Sequence, residues 1–149
     1  MLSAVVSALH LLALAIGLPS VLLRGRALAG PLDGPGLRRL FTADTCWGVA
    51  ALIWIATGLA RAFGGLEKGT QFYLTSPLFW LKMALLGPII LLEIWPMTTF
   101  IRWRVALGRG EEPDVRRARQ LWIVNHVEML LAVAMVFVAS FMARGFGLR

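Results

Sequence analysis

The sequence predicts an all-α integral membrane protein, an up-down four-helix bundle. Of its 149 residues, 58% are hydrophobic and 15% are charged, whereas a soluble domain has about 45–50% apolar and about 25% charged residues. Four stretches reach the length of about 20 mostly apolar residues that crosses about 30 Å of hydrocarbon. Because the connections between them are short, neighbouring helices should be antiparallel. We therefore predict a single transmembrane domain over residues 1–149.

The four predicted helices follow the apolar runs of the sequence. They cover residues 2–23, 42–62, 77–101 and 120–143. No basic residue precedes the first run, so we expect a retained helix and not a cleaved signal peptide. Residues 28–36, rich in glycine and proline, form the first connection. Ser76 and Pro77 predict the cap and first position of the third helix.

The net charge of +7 is interpreted as a topology signal. Ten arginines flank the connections between helices 1 and 2 and between helices 3 and 4, namely Arg24, Arg26, Arg38, Arg39, Arg102, Arg104, Arg109, Arg116, Arg117 and Arg119. The opposite side has Arg61, Lys68, Arg144 and Arg149. Short basic loops favour the cytoplasm. We therefore predict a protein of the bacterial inner membrane with both termini on the periplasmic side. This composition also excludes a disordered chain and argues against a soluble globule and a nucleic-acid-binding domain.

Polar chemistry is expected where ionisable groups fall inside apolar runs. Such groups cost several kcal/mol in lipid and usually face the bundle interior. Six qualify: His10, Asp44, Lys82, Glu93, His126 and Glu128. Each of these groups also has a purely structural interpretation. A histidine can form a hydrogen bond between helices, Lys82 can extend outward to the membrane surface, and the remaining polar groups can form a cluster that fixes the register of the helices.

His10 lies on a stripe of small residues of the first helix, formed by Ser3, Ser7, His10, Ala13 and Gly17. Small residues let helices or a flat ligand approach closely, so His10 is predicted to point inward. In the third helix, Lys82 and Glu93 share a face but lie eleven residues apart, about 16 Å along the axis.

The fourth helix carries Asn125, His126 and Glu128 within four residues. At 100° per residue they span roughly 160° of its surface, so this broad polar face is predicted to point into the bundle.

Histidines in a helical membrane bundle favour haem as the cofactor. A haem iron needs imidazole ligands and a flat apolar slot between helices. Six methionines add thioether ligands, whereas two histidines and the single Cys46 make a poor zinc site. His10 and His126 are therefore the predicted iron ligands. Their estimated depths differ by roughly 9 Å, so one shared iron and two separate sites both stay open.

Several short motifs resemble the HemJ-type protoporphyrinogen oxidase family, four-helix membrane proteins of bacteria that bind haem b. The first helix has Leu9-His10 followed by Gly17, Pro19 and Arg24. The second has Arg39-Leu40 before it and Thr57-Gly58 near its end, and the third has Trp80-Leu81-Lys82. The fourth has Asn125-His126-Val127-Glu128, similar to Asn-Glu-Val-Pro of the family. Two positions depart from the family pattern: the third-helix histidine is missing, and His126 stands where the family has an acidic residue. A sister family of uncharacterised membrane proteins is therefore the alternative.

The resemblance and the residues together predict a haem b protein that transfers electrons or oxidises a porphyrinogen or quinol-like substrate. Lys82, Glu93 and Glu128 would handle charge or protons, while Asn125, Arg38, Arg39 and Arg119 would contact the cofactor. A small proton-coupled transporter or channel and a cofactor-free assembly partner are the alternatives. Membrane lipid, a redox partner and a second copy of the chain are the expected partners.

Overall fold

Helices make up most of the chain, in a computed structural model that describes residues 1–66 and 69–146. They are α1 (Leu2–Ala29), α2 (Gly34–Phe63), α3 (Thr70–Thr75), α4 (Pro77–Gly108) and α5 (Ala118–Ala143). All except α3 are long and apolar enough to cross a membrane. The protein is therefore all-helical, and its four long apolar helices indicate a membrane helical bundle. Lys68 and Arg149 lie outside the described residues.

The long helices extend beyond the predicted ends. They contain 26 to 32 residues, or about 39–48 Å at 1.5 Å per residue, whereas the hydrocarbon layer is about 30 Å thick. The apolar runs of the sequence end before the helices do, because backbone hydrogen bonding continues into the flanking polar residues. The first connection is consequently only Gly30–Asp33, shorter than the predicted 28–36.

Local sequence explains how α2 and α4 begin. The Asp33 carboxylate accepts a hydrogen bond from the Gly36 backbone N–H at 2.8 Å, which caps α2. A Cβ at Gly36 would collide with the Pro31 carbonyl oxygen, so glycine suits this tight approach. α4 begins at Pro77 as predicted, but the Ser76 side chain makes no capping hydrogen bond and its buried hydroxyl finds no partner among the described residues.

Buried apolar side chains form three clusters along the bundle. The first defines what we call the arginine-rich end, because it lies beside the connections 30–33 and 109–117; it contains Leu28, Leu37, Leu40, Phe100, Trp103 and Leu121. The middle cluster contains Ala13, Val21, Trp47, Trp54, Ile89, Ala132 and Met135. The third, at what we call the opposite end, contains Ala62, Tyr73, Phe79 and Met142.

The outer surface of the helices is apolar as well. Leu52 is 70% exposed, Leu91 69% and Leu130 64%. An exposed apolar surface of this extent is typical of helices that contact lipid. Within the bundle, α1 packs on α2 and α5, and α4 packs on α5. The Arg104 guanidinium of α4 also donates to the Phe41 carbonyl of α2 at 3.0 Å.

Candidate functional sites: a buried ion cluster and a histidine cavity

A buried ion cluster lies inside the bundle towards the arginine-rich end, around Arg24 of α1. The Arg24 side chain is fully buried. Its Nη1 donates to Glu93 Oε1 at 2.7 Å and to Asp44 Oδ1 at 3.3 Å. Its Nη2 donates to Glu93 Oε2 at 3.0 Å and to Glu128 Oε2 at 2.5 Å. Its Nε donates to Asn125 Oδ1 at 2.7 Å. One guanidinium thus joins α1 to the three other long helices.

A second layer of polar groups surrounds this guanidinium. Arg104 Nη2 donates to Asp44 Oδ2 at 2.9 Å, and Trp47 Nε1 donates to Glu93 Oε2 at 2.9 Å. Glu128 Oε1 is buried and finds no hydrogen-bond partner among the described residues. Three carboxylates therefore face two guanidiniums, and the cluster carries one excess negative charge when every group is ionised.

The burial of Arg24 corrects the interpretation of this residue as a topology-setting arginine of the first connection. α1 continues to Ala29, so Arg24 remains a helix residue more than one turn from the helix end. The sequence holds a signal for its inward orientation: His10, Gly17 and Arg24 follow each other at intervals of seven residues, which places them on one helix face. The predicted stripe of small residues therefore ends on a buried arginine.

A cavity of about 360 Å³ lies between the helices towards the opposite end, and His10 is one of its walls. His10 is 7% exposed, and its Nδ1 lies 2.9 Å from Thr57 Oγ1. The Thr57 hydroxyl donates to the Ile53 carbonyl at 2.6 Å, so its oxygen accepts from His10 Nδ1–H. In this arrangement Nδ1 carries the ring proton and Nε2 the lone pair.

The remaining walls of the cavity are mostly apolar but include several polar groups. Lys82 and Arg61 line it, as do the thioethers of Met83, Met135 and Met142. Trp54 also lines it, with its ring centroid 5.9 Å from that of His10. The buried Trp54 Nε1–H finds no acceptor among the described residues. A buried donor without an acceptor is costly, so a ligand with an acceptor atom would relieve this cost.

Gly58 leaves room for the imidazole. A Cβ built at Gly58 would lie 3.2 Å from His10 Cε1, closer than an ordinary van der Waals contact. Its absence allows α2 to pass directly beside the His10 ring.

His126 lies in a different part of the bundle. It is half-buried, its ring lies over Trp122 with the centroids 4.0 Å apart, and its Nδ1 donates to the Trp122 carbonyl at 2.8 Å. It also borders α1 at Gly25, where a Cβ would lie 3.0 Å from His126 Cε1. Gly25 and His10 are fifteen residues apart on one helix, about 22 Å along its axis. The two histidines of one chain therefore do not face a common iron.

The other predicted site residues divide between several places. Lys82 joins His10 at the cavity, whereas Glu93, Glu128 and Asn125 join Arg24. The predicted polar face of α5 is only partly internal: Asn125 and Glu128 are buried, and His126 is at the rim. Arg38 and Arg39 line a separate groove between α1 and α2, and Arg119 is exposed in the first turn of α5. These three arginines lie at the arginine-rich end, away from His10.

Within residues 1–66 and 69–146, no group of three or more His, Cys, Asp and Glu side chains is arranged to hold a metal ion.

Helix composition, the internal ion cluster and the cavity together define a small polytopic helical membrane protein. The model of the DUF2214 family, described as predicted membrane proteins, matches residues 2–147. The chain belongs to this family. No curated protein and no solved structure matches it. This membership agrees with the prediction of a small family of uncharacterised membrane proteins. It does not support the more specific resemblance to the HemJ type.

Proposed function

We propose that the protein binds haem b in the His10 cavity and has a redox role in the membrane. The observation that carries the proposal is an anchored imidazole on a residue that lines the cavity: His10 Nδ1 lies 2.9 Å from Thr57 Oγ1, and when Thr57 accepts from Nδ1–H the lone pair is on Nε2. Metal-binding histidines are oriented in this way by a hydrogen bond from the other ring nitrogen. Bound haem b would supply one-electron redox chemistry.

The lining of the cavity fits a flat apolar cofactor with an anionic edge. Its walls are mainly apolar, and Gly58 gives the His10 ring space. Arg61 is a permanent cation suited to a propionate carboxylate. Met83, Met135 and Met142 would be the candidates for a second protein ligand, through their thioethers. In this proposal His10 is the first ligand, and His126 belongs to a separate site or to an interface with a second copy.

Oxidation of a porphyrinogen or quinol-like substrate would also require a proton acceptor near the cofactor. Lys82 lines the His10 cavity and is the candidate for this role. Glu93 and Glu128 contact Arg24, fourteen residues from His10 on α1 and about 21 Å along its axis. They would act on charge and protons at a distance from this cofactor.

The proposal includes an arrangement in the membrane. Contacts of His10 with Thr57 and of Arg24 with Asp44 pair the beginning of α1 with the end of α2, which supports an up-down order of helices. The basic connections at the arginine-rich end favour the cytoplasmic side of a bacterial inner membrane, with both termini periplasmic. Reporter fusions to each terminus would test this orientation.

The test is an optical spectrum of protein purified in detergent from haem-replete cells, oxidised and then reduced with dithionite. We expect a Soret band and sharp bands after reduction. His10→Gly should abolish or shift these bands, and added imidazole should restore them if the variant folds. His126→Ala is the matched control and should leave the spectrum unchanged. A colourless wild-type preparation that also fails to bind added hemin would overturn the proposal.

A proton-coupled transporter is the second candidate function, favoured by one specific observation. The Arg24 cluster has an excess carboxylate, and Glu128 Oε1 lacks a partner among the described residues. Buried carboxylates of this kind are typical of proton pathways through membranes. Proton flux into proteoliposomes, abolished by Glu128→Gln, would support this function. Absence of both flux and haem would leave the cofactor-free assembly partner as the remaining hypothesis.

A further inference from the structure

A groove on the outer surface of α1 and α2, at the arginine-rich end, is strongly basic. It has a volume of about 730 Å³. Arg26, Arg38 and Arg39 line it, and all three are exposed. Within the described ranges no acidic side chain lines this groove, and none of the three guanidiniums donates a hydrogen bond to another residue. In the part of the chain that the structure describes, the positive charge of this groove is therefore not compensated, so an anionic ligand would be attracted to it.

The groove also has depth along the helices, and its polarity changes with depth. It extends from Gly30 to Ser20 on α1, ten residues and about 15 Å. The arginines lie near the connection, whereas Leu23 and Cys46 line the deeper part. Leu23 is 53% exposed, so this part of the wall can contact an acyl chain. A basic entrance above an apolar wall matches an amphiphile with an anionic headgroup.

We propose that this groove binds an anionic phospholipid, whose phosphate contacts Arg26, Arg38 and Arg39 and whose acyl chain lies along Leu23. Basic pockets between transmembrane helices on the cytoplasmic side bind phosphate-bearing headgroups, and guanidinium groups match phosphate oxygens in a bidentate manner. Free phosphate offers the same oxygens but has no acyl chain for the deeper wall. The site is separate from the His10 cavity and does not depend on a cofactor there.

Native mass spectrometry of the full chain tests this proposal. The protein is mixed with equal amounts of phosphatidylglycerol and phosphatidylcholine of identical acyl chains, which differ only in the headgroup. The first bound lipid should be phosphatidylglycerol with a preference of roughly tenfold or more, because each arginine near the membrane surface attracts anionic lipid. The triple variant R26Q/R38Q/R39Q should bind both lipids nearly equally.

The matched control is R102Q/R109Q/R117Q, which removes the same charge from exposed residues outside the groove. It should keep the preference for phosphatidylglycerol. If the first triple variant does not fold, two milder variants replace it. R26K/R38K/R39K should keep most of the preference for phosphatidylglycerol, and R38Q should lose part of it.

Three results would overturn the proposal. Equal binding of the two lipids by the wild-type chain would show that the groove does not select an anionic headgroup. Equal loss in the control triple variant would show that only total charge matters. Displacement of phosphatidylglycerol by millimolar inorganic phosphate would assign the groove to a free anion.

Discussion

The Arg24 cluster and the His10 cavity use polar residues inside one apolar bundle in opposite ways. At the cluster, polar side chains from all four long helices contact each other directly, and Arg24 is fully buried. At the cavity, the polar groups surround about 360 Å³ of space, and the buried Trp54 N–H finds no acceptor in the described part of the chain. The first arrangement is typical of a structural centre and the second of a ligand site.

The difference follows from the length and charge of the side chains. A guanidinium has five donors in a planar fork, so Arg24 can join several acceptors and fill the space between helices. An imidazole is shorter, and His10 uses one nitrogen to anchor itself on Thr57. Both residues lie on the same face of α1, two heptads apart. One helix face can therefore position both a structural centre and a ligand site.

The largest expected effect is the loss of Arg24. Arg24→Gln leaves three buried or half-buried carboxylates without their shared cation, and breaking a buried ion pair in this way costs about 3–5 kcal/mol. Thermal unfolding in detergent would measure it. Arg104→Gln is the control at the rim of the same cluster, since Arg104 contacts only Asp44 among these carboxylates, and it should cost far less. Similar unfolding temperatures for the two variants would contradict a structural role for Arg24.

The next effect separates the two glutamates of the cluster. Glu93 accepts two bonds from Arg24 and one from Trp47, so Glu93→Gln turns one acceptor into a donor facing a guanidinium. We expect a loss of about 2–3 kcal/mol, since hydrogen bonds to charged groups contribute about 1.5–3 kcal/mol. Glu128→Gln keeps one acceptor oxygen for Arg24 and removes the excess negative charge.

Glu128→Gln places an amide N–H at the buried position of Oε1, at a cost of about 1–3 kcal/mol if it stays unpaired, but it also removes the repulsion with the neighbouring carboxylates. We therefore expect it to be destabilised less than Glu93→Gln. Chemical denaturation of both variants in the same detergent gives the ranking. The reverse order, with Glu128→Gln the more destabilised, would mean that the cluster requires its full negative charge.

The sequence is sufficient for the all-helical class and the four long apolar helices, but only partly for the sites. Apolar runs locate four helices because lipid solvation acts on each segment by itself. The inward position of His10 follows from the spacing of small residues. The contacts of Arg24 do not follow from the sequence, because an arginine near a helix end is compatible with two roles: setting the membrane topology and forming an internal ion pair. Their distinction depends on which carboxylates the other helices place opposite it, and this is a tertiary property.

Substituting one glycine in each region tests how tightly the cluster and the cavity are packed. At the cluster, Gly25→Ala would place a Cβ 2.6 Å from Asn125 Nδ2, and that amide is held by Arg24 and the Val21 carbonyl. We expect a cost of about 1–3 kcal/mol from overpacking. At the cavity, Gly58→Ala meets only His10 Cε1 at 3.2 Å among close contacts, and the ring borders open space.

Gly58→Ala should therefore cost less than Gly25→Ala and should be close to neutral, since alanine gains about 1 kcal/mol in helix propensity over glycine. Both melting temperatures are measured without ligand. Equal destabilisation would contradict the presence of free space beside His10. The added methyl group should also displace the His10 ring slightly. Weaker hemin binding by Gly58→Ala would then support a role of this ring in ligand binding.

The smallest effect concerns an ion pair exposed to water at the arginine-rich end. Arg116 contacts Asp114 at 2.9 Å, and its hydrogen bonds lower the pKa of the Asp114 carboxyl to about 2. The contribution to stability is therefore present above the ordinary pKa of 3.8 and is lost as the pH falls through about 2. Because both side chains are mostly exposed, Asp114→Asn should leave the melting temperature unchanged from pH 5 to 8. A clear drop there, comparable to that of Arg24→Gln, would show that the buried position of Arg24 is not what makes its ion pairs essential.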